Sequence, residues 1–435
     1  MKKQLLAIAF LGIMLHCGAQ NKGAQVDSLI SAYSRLHKFN GSVLLAWHDS
    51  ILLNKGYGYR NADSKTPNDA NSIYQLGSIT KQFTGAVILK LQSAKKLSVT
   101  DKLTKYFPSY PKGDSITIEQ LLSHTSGIYN YTNERKFMEN EVVVPKTREE
   151  MIALFKDKPL DFSPGKGWKY SNSAYSLLGY IIEIASGLPY EKAVRQYIFE
   201  PANMVNSGFD FTHLSNPNKT TGYFVLNNKE TKEAPIVDSS ISYAAGSIFS
   251  TTGDLFRWHK ALQKNIVLSK AEQEIAYTPI KNKYGYGWVI DSSAGKRRVG
   301  HSGGIHGFVT NESRVPEDGL CIVLLSNASD RSLDEITKSI YAIMYNKDYV
   351  LPRERIAIRL PETALNDYVG EYEITPKLHV VITVKDGRLS AQPTGQTEKT
   401  LLAEKADAFF DQDDDIQVVF TRDKDGKVNA FELHQ

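Results

Sequence analysis

Runs of apolar residues, punctuated by turns, divide the chain into a long mixed region and a short all-strand tail. Val26 to Leu36 reads as a helix. Gly41-Ser42-Val43-Leu44-Leu45-Ala46-Trp47 and Ile51-Leu52-Leu53-Asn54-Lys55-Gly56-Tyr57 read as a hairpin around His48-Asp49-Ser50. A strand-like run, Ser72 to Leu76, leads through Gly77 into Phe83 to Leu91, which predicts a largely buried helix. Residues 100–210 are rich in helices and loops and include a helical run from Ala174 to Ile182. Strands return between Tyr284 and Ser326, with Phe308-Val309-Thr310 and Leu320 to Leu325 among them, and a helix follows near Leu333 to Met344. Helix, strands, helical insertion, strands, helix: this order predicts an α/β sandwich, an antiparallel sheet flanked by helices plus an all-helical lobe.

Past Asp348 the pattern changes. Leu351-Pro352-Arg353-Glu354 resembles a linker. Short alternating runs follow at Tyr368–Tyr372, His379–Val384, Arg388–Ala391, Gln417–Thr421 and Ala430–Leu433, separated by turns such as Lys385-Asp386-Gly387 and Lys424-Asp425-Gly426. The expected organisation is a signal segment over 1–19, a main domain over 20–350, a linker over 351–361 and a small β-barrel-like domain over 362–435.

Three short motifs carry candidate chemistry. In Ser78-Ile79-Thr80-Lys81 a serine and a lysine three residues apart share one side of a helix start. A partly desolvated lysine amine can take the serine proton and create a nucleophile. Free N–H groups at the helix N-terminus favour a developing oxyanion. Four other Ser-x-x-Lys matches, at Ser93, Ser109, Ser163 and Ser293, close a helix, flank prolines or fall in a turn. Read alone, Ser78 is equally well an N-cap serine.

The second motif, Tyr170-Ser171-Asn172, precedes a helical run. A lysine ammonium nearby would favour the tyrosine's phenolate as a base or relay, and the Asn172 amide offers a donor and an acceptor. Tyr-x-Asn recurs at Tyr59 and Tyr131 in less suitable settings. The third motif, His301-Ser302-Gly303-Gly304, follows the short basic strand Arg297-Arg298-Val299. Its glycines would let a substrate lie close to the backbone. Read alone, it is a glycine-rich hairpin corner.

The ordered set Ser78-x-x-Lys81, Tyr170-x-Asn172, His301-x-Gly303 resembles the β-lactamase-related serine hydrolases, which include class C β-lactamases, D-Ala-D-Ala carboxypeptidases, D-aminopeptidases and related esterases. Flanks at Leu121–Ile128, Tyr170–Tyr175 and Ala245–Leu255 agree, and the resemblance spans roughly residues 25 to 345. It implies that Ser78 is acylated and that Lys81 and Tyr170 share proton transfer. It also implies an oxyanion hole from the N–H groups of Ser78 and Gly304, Asn172 on the substrate amide, and His301 with Ser302 at the pocket edge. Many relatives active on β-lactams carry Lys-Thr-Gly as the third motif, where the lysine helps hold a carboxylate. His301 is mostly neutral near pH 7, which points to esterase, amidase or peptidase activity on less anionic substrates. The C-terminal module resembles the lipocalin-like domains of some members.

Two other matches are read as chance. Gly300-x-Ser302-x-Gly304 fits a nucleophile elbow, but strand-like residues follow where a helix is required. Glu362-x-x-Leu365-Asn366 matches a class A β-lactamase motif in the wrong order.

The remaining features set bounds. The 435 residues carry a net charge of +4, of which Lys2 and Lys3 contribute two, so nothing suggests nucleic acid. Mean hydropathy of −0.33 fits a globular protein. Lys2-Lys3 and the apolar core from Leu5 to Leu15 read as a secretion signal cleaved after Ala19, giving a periplasmic or secreted protein. Lipidation at Cys17 is the less favoured processing, because His16 precedes it. Cleavage leaves Cys321 as the single cysteine, expected to be a buried inert thiol. No further transmembrane span, metal or cofactor is expected. The expected partner is a small-molecule or peptide substrate, cell-wall-derived peptides among the candidates. The reading is an exported serine hydrolase cleaving an ester, amide or D-amino-acid-type peptide bond. The alternatives are a slow penicillin-binding-like sensor and ligand binding by the C-terminal module.

Overall fold

The computed structural model describes residues 21–434 except 49, 294, 330–332, 377 and 412–415. The expected signal segment lies outside the described residues. The chain forms two compact units, Met1–Pro352 and Arg353–Gln435.

The first unit is built on a six-stranded antiparallel sheet. In chain order its main elements are α1 (residues 21–35), β1 (Gly41–Trp47), β2 (Ser50–Tyr57), α2 (Thr80–Ser93), α3 (Asn172–Ser186), α4 (Ser239–Gly246), α5 (Thr252–Gln263), β3 (Val289–Ser293), β4 (Lys296–Ile305), β5 (Phe308–Val315), β6 (Leu320–Ser326) and α6 (Leu333–Met344). The strand order is β2-β1-β6-β5-β4-β3. Successive side chains of a strand face opposite ways, and here both faces are covered. Val43, Leu45, Ile322 and Leu324 pack with Val26, Leu29 and Ile30 of α1 and Ile336, Ile340 and Ile343 of α6. Leu44, Ala46, Cys321, Val323 and Leu325 join the larger core of the helical lobe. Burial on both faces explains why β1 and β6 read as unbroken apolar runs.

Helix α2 lies inside that larger core, and every residue from Thr80 to Leu89 is buried. Around it stand α3, α4, α5 and the short helices of residues 118–199. The run Ser72–Leu76 forms only a two-residue strand, Tyr74–Gln75, paired with Phe249–Ser250. The third motif departs from a hairpin corner: His301 to Gly304 lie within the ten-residue strand β4. Cys321 is buried in β6 as expected.

The second unit is an antiparallel meander of seven strands in sequence order: β7 (Gly370–Thr375), β8 (Leu378–Lys385), β9 (Arg388–Pro393), β10 (Lys399–Lys405), β11 (Ala408–Phe410), β12 (Gln417–Arg422) and β13 (Val428–His434). Tyr372 of β7 meets Phe431 of β13 at 5.0 Å between ring centroids, so the sheet curls almost into a barrel. Strands β10 and β11 escaped the sequence pattern. One is rich in lysine and glutamate, and the other has only three residues. No helix among the described residues is long and apolar enough to cross a membrane.

Candidate active site

Ser78 sits in a 3-10 turn, Gly77–Ile79, that runs directly into α2. Gly77 makes the turn possible. Its φ is +56°, and a Cβ there would stand 2.8 Å from the Gly304 nitrogen. Only glycine satisfies both demands.

One helical turn on, the fully buried Lys81 places Nζ 3.0 Å from Ser78 Oγ, 2.8 Å from Asn172 Oδ1 and 2.8 Å from the Ala245 carbonyl oxygen. Asn172 opens α3, behind a Ser171 cap that accepts from the Ala174 N–H. The Ala245 carbonyl lies in the last turn of α4, where carbonyls lack partners within the helix, just past a kink at Tyr243 (φ 36°, ψ −132°). Beyond that kink the Ala244 carbonyl also turns to α2 and accepts from Thr84 Oγ1 at 2.7 Å.

Burial holds the Lys81 ammonium well below the usual lysine range, and no carboxylate pairs with it among the described residues. A neutral amine has two N–H donors and one lone pair. Asn172 Oδ1 and the Ala245 carbonyl are acceptors, so they take the donors. The lone pair is then left for the Ser78 hydroxyl.

Tyr170 donates its hydroxyl hydrogen to Ser78 Oγ at 2.8 Å. Its ring lies under Lys81, with Nζ 4.8 Å from the centroid. The expected preference for the phenolate is overturned. Burial pushes the Tyr170 hydroxyl up, and the Ser78 hydrogen bond lowers it only in part. Desolvation disfavours both the phenolate and the ammonium, so the two groups are pushed towards their neutral forms together. The half-buried Asn172 amide keeps one N–H beyond the two contacts it makes here. Its Oδ1 holds Lys81, and its Nδ2 donates to Thr132 Oγ1 at 3.2 Å.

Strand β4 forms the opposite wall. Its neighbour β3 pairs with it only over residues 296–300, so 301–305 leave one edge open beside Ser78. A two-residue turn closes the hairpin at Ile305–Phe308, and Gly304 pairs with Val309 next. In such a ladder the closing pair exchanges hydrogen bonds and the next pair points its polar groups outward. The Gly304 N–H therefore faces the Ser78 turn. Gly303 admits no side chain, because a Cβ there would fall 1.9 Å from the Leu76 carbonyl oxygen.

His301 turns inward. Its Nε2 is 2.8 Å from Tyr284 OH, and its Nδ1 contacts the Ser302 carbonyl. Burial, then the Lys81 charge, push its pKa down to about 3. Ser302 is exposed on the other face of the strand.

Ser78, Tyr170, His301, Ser302 and Gly304 line one cleft of about 750 Å³, together with Trp168, Asn282, Tyr284, Asn311 and Asp334. None of its described lining residues is lysine or arginine. All seven residues singled out from the sequence thus converge on one place. Tyr284, Thr132 and the Ala245 carbonyl were missed. No group of His, Cys, Asp and Glu among the described residues has the arrangement of a metal site.

The Beta-lactamase family matches residues 26–343, and a domain of unknown function, DUF3471, matches residues 354–435. Penicillin-binding protein 4* of Bacillus subtilis is 31% identical, over 96% of this chain and 97% of its own. The octameric penicillin-binding protein homologue from Pyrococcus abyssi superposes with a TM-score of 0.69 at 25% identity, covering 94% of this chain and 95% of that one. A D-stereospecific amidohydrolase from Streptomyces gives a TM-score of 0.63 at 26% identity, covering 77% and 99%.

Proposed function

This chain belongs to the beta-lactamase family of serine hydrolases, and we propose that it works through an acyl-enzyme on Ser78. The observation that carries this reading is the approach of Lys81 Nζ and Tyr170 OH to one serine oxygen, at 3.0 and 2.8 Å. Neutral Lys81 takes the Ser78 proton as Oγ attacks the substrate carbonyl. The resulting oxyanion is held by the N–H groups of Ser78 and Gly304. The Lys81 ammonium, with Tyr170 as a relay, returns the proton to the leaving amine or alcohol. Water then cleaves the acyl ester by the same route, with Lys81 again accepting the proton.

We further assign the substrates to esters and amides of D-amino acids or small peptides without a carboxylate near the scissile bond. Two facts support this. The described cleft lining has no cation and carries an acid, Asp334, and His301 is held neutral. The likeness to a D-stereospecific amidohydrolase agrees. Export is part of the same reading and rests on Lys2-Lys3 and the apolar segment after it. A mature secreted protein starting at Gln20 would support it, and retention of Met1 in a cytoplasmic product would refute it.

The test is stopped-flow with a p-nitrophenyl ester. A burst of one p-nitrophenolate per protein, lost in Ser78→Ala, is expected. Equal turnover by both proteins would overturn the reading. Paired D-aminoacyl substrates with a neutral amide or a free carboxylate at the leaving side test the substrate class. Preference for the carboxylate would contradict it.

A further inference from the structure

His124 stands apart from the residues above because its contacts bracket Tyr170. Its carbonyl oxygen accepts from the Lys169 N–H at 3.1 Å. Its Nδ1 accepts from the Ser171 N–H at 3.2 Å. Between these two anchors its ring lies 4.3 Å from the Tyr170 ring, centroid to centroid. The residues on both sides of Tyr170, and Tyr170 itself, are thus held by one side chain and its own backbone.

Other features indicate a fixed part. The backbone of His124 is left-handed, with φ +61°, which is uncommon for a residue with a side chain. The imidazole is fully buried. Tyr284 and Tyr175 pack against it at 4.6 and 5.1 Å, and Trp168 meets it edge-on at 6.1 Å. Because Nδ1 accepts a hydrogen bond, the neutral ring carries its proton on Nε2. That Nε2 has no hydrogen-bond partner among the described residues. A buried donor left unsatisfied carries a cost, so stability alone does not call for a histidine here. What the ring supplies is one acceptor at Nδ1 and a flat face for Tyr170.

We propose that His124 is the positioning residue for Tyr170, setting the distance of its hydroxyl from Ser78 Oγ. This rests on the proposed role of Tyr170 in acylation. It predicts that His124 acts on the rate through the Tyr170 hydroxyl and not on its own.

The experiment measures, from the burst phase of an activated ester, the acylation rate and the substrate dissociation constant for the wild type, Tyr170→Phe, His124→Asn, His124→Phe and the double variant His124→Phe/Tyr170→Phe. Asparagine tolerates left-handed backbone, and its Oδ1 stands where Nδ1 stood, so His124→Asn should stay within about 5-fold of the wild type. His124→Phe keeps the ring and loses the acceptor. Acylation should fall on the order of 10- to 100-fold with the substrate dissociation constant little changed, as for a small misplacement of a reacting group. In the Tyr170→Phe background the same change should cost nothing further. An equal loss in both backgrounds, or wild-type rates for His124→Phe, would overturn the proposal. If His124→Phe fails to fold, His124→Asn decides: a loss as large as that of Tyr170→Phe overturns it. Wild-type acylation by Tyr170→Phe would instead refute the role given to Tyr170, and the two failures are therefore distinguishable.

Discussion

Gly77 and Gly304 touch across the cleft: a Cβ on Gly77 would stand 2.8 Å from the Gly304 nitrogen and 3.0 Å from its carbonyl carbon. The contact brings the Ser78 turn against the open edge of β4, where the proposed oxyanion hole takes one N–H from each side.

Gly77→Ala should therefore do double harm. At φ +56° an alanine costs about 1–2 kcal/mol. Its Cβ must also push β4 away, weakening the oxyanion hole, where loss of one donor costs about 10²–10³ in kcat. Thermal unfolding and kcat together check this. A variant with normal kcat would show that the contact does not shape the hole.

Lys81→Met should lower kcat/KM by about 10³-fold or more, since methionine fills the space without a base. On the proposed mechanism the active form of the wild type has neutral Lys81. Activity should rise with pH through a limb below the ordinary lysine range, because burial lowers that pKa. A pH–rate profile checks this, and a limb at the free-lysine value would contradict it.

Asn172→Asp should move that limb upward in pH. The substitution puts a carboxylate where Oδ1 lies 2.8 Å from Nζ. An opposite charge favours the ammonium, so the neutral amine appears only at higher pH. Asn172→Leu lacks this charge and should lower kcat without raising the limb. An unmoved limb in the aspartate variant would remove Lys81 as the titrating base.

His301 should make the protein acid-sensitive. Its folded pKa is about 3 against 6.5 for the free side chain. Below pH 6.5 the unfolded chain binds the extra proton first, so stability falls as pH drops from 6.5 towards 3. At pH 5 the loss amounts to about 2 kcal/mol. His301→Gln keeps a polar atom near Nε2 without titrating, and should flatten the dependence of Tm on pH over this range. An identical slope in the variant would refute the assignment.

Much of this site was legible because helix periodicity and three ordered motifs are local signals. The helix after Ser78 and the one over Leu333–Met344 follow directly from their apolar spacing. Other parts were not legible, for physical reasons. The glycines at 303 and 304 look like a turn, but they lie in a strand, where Gly303 makes room for the Leu76 carbonyl and the Gly304 backbone abuts Gly77. The Ala245 acceptor is a backbone atom in the last turn of α4, and no residue type encodes it. The Tyr170 phenolate was expected from a neighbouring charge, but the depth of burial, which sequence does not give, decides the sign.

Intact-mass spectrometry after treatment with a fluorophosphonate, on the mature protein and on Ser78→Ala, tests the central claim most directly. The account predicts one adduct on the wild-type protein and none on the variant. An adduct that survives the substitution would contradict it and direct attention to Ser302, which also lines the cleft.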